Sequence, residues 1–241
     1  MVQQLPRRNL PPEGHTHLRT EYNAVMNDAR TVWIEGPAGK LEAALRVADE
    51  PKGAVVLAHP HPLYGGTLHN PVVFHADREL NRAGLTTLRF NFRGVEGSDG
   101  FHDDGRGEIG DVAAAAGWVS ALAPGTPLIL VGYSFGSRCV ISHATADRTI
   151  AGVVAIGLPV RLWAFEDLPS LGRPFSVVQG TEDEFGSIEE VAAVIAHAVP
   201  PGRLYEVAGA SHLFPGRTKE AAACVVEAVE EILQGLGGSV S

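Results

Sequence analysis

Cysteine is nearly absent from this chain. Cys139 and Cys224 are the only two in 241 residues, and they stand in no C-x-x-C spacing. Thiolate zinc sites, disulfide frameworks and dithiol redox chemistry all need more sulfur than this. Both fall inside expected amphipathic helices, as buried thiols do. Basic excess is lacking as well: 19 Lys and Arg face 28 Asp and Glu, for a formal net charge of −9. An acidic surface repels nucleic-acid phosphates and anionic lipid, so neither nucleic acid nor membrane is an expected partner. No apolar run reaches the length of a membrane span. Arg7 and Arg8 are followed by no apolar stretch of the kind a secretory signal carries, so cytoplasmic residence is the expectation.

The composition that remains, 45% hydrophobic and 20% charged, is that of one ordinary globular domain. Residues 1–28 are polar and proline-bearing (Pro6, Pro11, Pro12), with His15 and His17, and read as an arm. Residues 29–241 read as a single domain without internal repeats. It opens with strands 31–35 and 41–47 about Gly36–Pro37–Ala38–Gly39, a hairpin with a loop somewhat longer than the tightest type. Strands and helices then alternate. Short apolar runs at 54–58, 86–92, 128–131, 152–156 and 175–178 read as strands, most of them covered on both faces, with a last strand at 204–207. Asn70–Pro71 is a helix start that should run to about Ala83 and stop at Gly84. Another helix is expected near Asp111 and a third from Phe135. Ser187 to Glu190 is a capping box, and a C-terminal helix through Ala221, Val225, Ala228 and Ile232 should end at Gly235. Such alternation implies a mostly parallel sheet with helices on both faces, and ligands bind at the carboxyl ends of its strands.

Gly132–Tyr133–Ser134–Phe135–Gly136 is a G-x-S-x-G between an apolar strand and a helix. There a serine sits on a sharp, strained turn, and its small neighbours let the helix pack closely. A serine hydroxyl needs a base, and the base needs an orienting acid. On such an elbow the acid and then the histidine follow the serine in chain order. Asp183, after the 175–178 strand, and His212, after the 204–207 strand, stand in that order, with Glu182 and Glu184 as rival acids. An oxyanion hole needs two backbone N–H groups. Phe135 is one candidate. The other lies in His59–Pro60–His61–Pro62–Leu63, where the prolines cannot donate, which leaves His61 first and Leu63 second. His59-x-His61 has no carboxylate or cysteine at ligand spacing nearby, so no metal is expected. Arg93 reads as a loop organiser. Asp103, Asp104, Glu108 and Asp111 read as solvated acids about a helix start.

His59–Pro60–His61–Pro62, Gly65–Gly66–Thr67 with Asn70, the Arg89–Phe90–Asn91–Phe92–Arg93–Gly94 run and the serine elbow together resemble the small lidless α/β-hydrolases related to dienelactone hydrolases. The resemblance covers about residues 30–235. It implies an α/β-hydrolase sheet, hydrolysis of carboxylic esters and no cofactor. Two departures stand out: Ser134 occupies the place where dienelactone hydrolases have cysteine, and His59–Pro60 replaces the usual His-Gly pair. The 157–174 segment is too short for a large cap, so an open site for small or short-acyl esters is expected. Tyr64, Tyr133, Trp163 and Phe214 are candidate substrate contacts, with Trp163 as a pocket wall. A thioesterase, amidase or peptidase would use the same triad, and a non-catalytic binding module could share the fold. The expected partner is a small-molecule ester, and association into a homo-oligomer is left open.

Overall fold

The computed structural model describes residues 29–237, so the arm expected over residues 1–28, with His15 and His17, lies outside them. Eight strands form one sheet in the order β1-β2-β4-β3-β5-β6-β7-β8. They are β1 (Arg30–Gly36), β2 (Gly39–Arg46), β3 (Ala54–Ala58), β4 (Thr86–Phe90), β5 (Leu128–Tyr133), β6 (Ile150–Ile156), β7 (Phe175–Gly180) and β8 (Arg203–Val207). β2 runs antiparallel to β1 and β4, and all later neighbours are parallel. Among the described residues the five α-helices are α1 (Pro71–Arg82), α2 (Arg106–Leu122), α3 (Phe135–Ala146), α4 (Ile188–Ile195) and α5 (Thr218–Gly237). This is the α/β-hydrolase architecture, without a large cap. None of the described helices is long and apolar enough to cross a membrane.

Period-two alternation divides the core between the two sheet faces. Ala54, Val56, Leu128 and Leu130 face one cluster with Val112, Val119, Val140 and Val191 from α2, α3 and α4. Val55, Leu57, Ile129 and Val131 face another with Leu80, Val225 and Val229 from α1 and α5. Strands buried on both faces read as unbroken apolar runs for this reason.

The structure corrects several boundaries. Gly36 pairs with Gly39, so the hairpin turn is only Pro37–Ala38, shorter than expected. β4 stops at Phe90: Asn91 N–H still reaches the Glu42 carbonyl on β2, but Phe92 N–H turns to the His59 side chain and leaves the ladder. α2 begins at Arg106, ahead of Asp111. α5 runs through Gly235 to Gly237. Glu108 and Asp111 are fully buried and not solvated. Glu108 accepts the Asp103 and Gly105 N–H groups, closing the helix start. Asp111 accepts from Arg93 Nε and Nη2, and the same Nη2 also donates to the Gly107 carbonyl, so Arg93 organises its loop as expected. Asn70 caps α1 through Val72 N–H, and Ser187 with Glu190 forms the expected capping box on α4.

In the strand order, β3 leads to β4 on one side while β5 leads to β6 on the other. A crevice opens where neighbouring connections diverge in this way, at the carboxyl ends of β3 and β5. Ser134 and the histidine-proline loop lie there.

Candidate active site

Ser134 directly follows β5 and caps α3 with φ 54° and ψ −113°. A non-glycine residue at positive φ is strained by roughly 1–3 kcal/mol, and the surroundings must enforce it. Here Ser134 N–H donates to the Ile156 carbonyl at 2.8 Å. The flanking glycines provide the room. A Cβ on Gly132 would sit 2.4 Å from the Gly136 carbonyl oxygen, and one on Gly136 would sit 2.5 Å from that of Ala58.

His212 Nε2 lies 2.9 Å from Ser134 Oγ, and His212 Nδ1 lies 2.8 Å from Asp183 Oδ2. A carboxylate can only accept, so the imidazole proton sits on Nδ1 and leaves Nε2 to accept from the serine. The second Asp183 oxygen accepts Phe185 N–H. Of the three acids in this loop, Asp183 meets the imidazole; Glu184 instead accepts His212 main-chain N–H at 3.1 Å, and Glu182 is exposed. Ser134, Asp183 and His212 are all buried.

Two glycines without a sequence signal make this approach feasible. A Cβ on Gly180 would meet the Ala210 carbonyl oxygen at 2.2 Å, where the acid and histidine loops touch. Gly157, at φ +57°, faces the His212 ring, and a Cβ there would come within 3.1 Å of Cε1.

The β3 loop supplies the opposite wall. Leu63 N–H is donated to His61 Nδ1, and the N–H groups of Tyr64, Gly65 and Gly66 go to loop carbonyls. Pro60 and Pro62 lack an N–H, and the His61 ring stands 4.8 Å from that of Phe135. His59 has a different role from the metal-ligand alternative. It is buried, its Nδ1 donates to the Pro60 carbonyl at 2.6 Å, and its Nε2 accepts Phe92 N–H at 3.1 Å. Burial pushes its pKa down to about 4, against a raising contribution from the Pro60 bond, so the ring is neutral. The Arg89-to-Arg93 run holds the same loop: Arg89 donates to the Leu68 carbonyl, and Asn91 Oδ1 accepts Leu68 N–H, each at 2.7 Å. Arg89 is itself fixed by buried Asp77.

Of the expected substrate contacts, Trp163 is half-buried with its ring 6.1 Å from Phe135, and Tyr64 is 86% exposed beside His61. Tyr133 and Phe214 lie elsewhere. Both are fully buried: the Tyr133 ring lies 5.8 Å from the imidazole and its OH donates to the His212 carbonyl at 2.8 Å, and Phe214 packs on Tyr133, so they brace the His212 loop instead of facing a ligand. Burial, with Asp183 and Glu184 nearby, raises the Tyr133 phenol far above the usual tyrosine range and keeps it a donor. Sequence reasoning missed His59, Gly157 and Gly180. His59 could have been found from its position at the end of an apolar strand, where a side chain points into the core. A cleft of about 300 Å³ beside α3 takes in Arg138, Ser142 and Asp167 but neither Ser134 nor His212.

A family model for the alpha/beta hydrolase domain matches residues 51–234, and the chain belongs to that family. A lidless α/β serine hydrolase of Xanthomonas campestris is 29% identical with a TM-score of 0.78, covering 85% of this chain and 94% of the other. An α/β serine hydrolase homologue of Coxiella burnetii is 34% identical with a TM-score of 0.75, covering 82% and 96%. An uncharacterised protein of Rickettsia prowazekii is 32% identical over 78% of this chain and 84% of its own.

Proposed function

We propose that the protein hydrolyses small or short-acyl carboxylic esters through an acyl-enzyme on Ser134. The observation that carries this reading is the continuous chain from Ser134 Oγ through His212 to Asp183, with bonds of 2.9 and 2.8 Å. His212 Nε2 takes the hydroxyl proton as Oγ attacks the ester carbonyl. The oxyanion lies against the Phe135 and His61 N–H groups, where the positive end of α3 adds to its stabilisation. His212 then protonates the departing alcohol and activates the water that releases the acid. Asp183 holds the imidazole tautomer throughout and stabilises its cation.

The substrate class follows from the open mouth. Residues 157–174 contain only one 3₁₀ turn, Leu168–Ser170, and put no helical lid over Ser134. A long acyl chain would gain little from such a site. Fluorophosphonate labelling tests the reaction class: an adduct on Ser134 is expected, and an unmodified Ser134 would favour a binding module. A series of p-nitrophenyl esters tests the chain length. Acetate and butyrate should exceed the long-chain esters, and the reverse order would contradict an open site. A parallel set of thioesters and amides fixes the bond cleaved.

A further inference from the structure

The rings around Phe135 narrow the acyl group. His61 and Trp163 are nearly parallel, with 18° between their planes and 6.4 Å between centroids. Phe135 meets both at an angle, 4.8 Å from His61 and 6.1 Å from Trp163. Tyr64 leans on His61 at 4.8 Å from the solvent side. The Arg138 guanidinium lies 5.7 Å over the Trp163 ring and donates to the Asp104 carbonyl, so the indole is backed by a tethered side chain. Partial burial, and then the nearby His102, lower the His61 pKa, so its ring is uncharged at neutral pH.

The geometry of the reaction decides which part of an ester faces these rings. The leaving oxygen must point at His212 Nε2, and the ring neighbours of His212 are Tyr133 and Phe185. The oxyanion must point at the Phe135 and His61 N–H groups. The acyl substituent, on the side of the carbonyl carbon away from the leaving group, is then the part that reaches the rings next to Phe135. A flat ring lying against these nearly parallel ring faces makes closer contact than a puckered ring of similar size can.

We infer that His61 and Trp163, with Phe135 at the base and Tyr64 at the rim, bind a planar aromatic acyl group, making esters of aromatic acids the favoured substrates. This rests on the hydrolase reading and adds a substrate class to it.

Ethyl benzoate and ethyl cyclohexanecarboxylate share a leaving group and ring size and differ in planarity. Corrected for their alkaline hydrolysis rates, kcat/KM should favour the benzoate by roughly three- to tenfold, as expected of aromatic stacking. Trp163→Leu should bring that ratio towards one through KM, and Trp163→Phe should restore most of it. A wild-type ratio near one would overturn the inference. So would an equal loss on both esters in Trp163→Leu, or a preference seen only between phenyl and cyclohexyl acetate, which places the ring on the alcohol side.

A binding measurement needs no turnover. Benzamide should shift the Trp163 indole N–H resonance in the full-length protein at concentrations where cyclohexanecarboxamide does not, and equal or absent shifts would overturn the aromatic site. A shift without fluorophosphonate labelling would retain the aromatic site and remove the hydrolase reading. Labelling without a shift would do the opposite.

Discussion

The two sides of Ser134 are built differently. On the His212 side, the polar atoms are paired, all but one with buried groups: the imidazole bonds Asp183 and Ser134, its main chain bonds buried Tyr133 and exposed Glu184, and Gly157 and Gly180 leave no spare room. On the His61 side, a buried clamp from His59, Arg89 and Asn91 ends at the loop base, and above it stand half-buried or exposed rings. On the proposed function, chemistry that tolerates little misplacement is held by packed strand ends, and recognition is left to side chains that can be exchanged at little cost to stability. Hydrolases of one mechanism can differ in substrate for this reason.

The sharpest way to break this contrast is Ser134→Ala. If the closed side carries the reaction, turnover of a small ester should fall by on the order of 10⁴-fold or more, with the melting temperature little changed. Near-wild-type activity in the purified variant would end the hydrolase reading. Glycine substitutions compare the sides directly. Gly180→Ala forces a Cβ to within 2.2 Å of the Ala210 carbonyl oxygen and so shifts the loops of Asp183 and His212. A loss of roughly 10²-fold in kcat is expected, with destabilisation of about 1–3 kcal/mol. Gly65→Ala, at φ +79° with open space around its Cβ, carries only the backbone strain of about 1 kcal/mol and should leave kcat within a few-fold. Equal effects at the two positions would mean the sides are not distinct.

The closed side was the more legible in the sequence, because its signals are local. Ser134 stands in a pentapeptide at a strand-to-helix junction, and Asp183 and His212 each follow a short apolar run. The burial of Glu108 and Asp111 was not legible: an acid near a helix start reads as solvated unless its partners are known, and Arg93 reaches Asp111 from another loop. Tyr133 and Phe214 misled for the same reason. Their position in the chain places them near the site, but only packing decides that Tyr133 turns under His212 and that Phe214 packs on Tyr133. His59 and His61 are two residues apart and would share a face if the extended geometry of β3 continued, yet one lies in the core and the other at the mouth, so the chain has left the strand geometry between them.

His59 anchors the His61 side, and its titration tests the clamp. Its folded pKa of about 4 lies below the ordinary value of 6.5, so the folded state holds fewer protons than the unfolded state between those limits. Stability from the neutral ring is therefore complete above about pH 6.5 and is lost as pH falls towards 4, on the order of 3 kcal/mol in all. Denaturant titrations across this window should show the slope in wild type. His59→Leu should be less stable by about 1–3 kcal/mol at pH 7, because Phe92 N–H loses its acceptor, and should show a shallower slope. An unchanged slope would mean His59 is not the group that titrates.

The smallest effect belongs to Glu184, the one exposed acid that touches the closed side. Partial burial works against its charge, but its own N–H and that of His212 hold its carboxyl below the usual glutamate range. Its Oε2 accepts His212 N–H. Glu184→Gln retains an acceptor, so kcat should stay within about twofold. Glu184→Ala removes it and, at the cost of one exposed charge-assisted bond, should lower kcat a few-fold. If alanine cost as much as Gly180→Ala, the base would depend on a solvent-facing contact, and the closed side would be less closed than its buried bonds indicate.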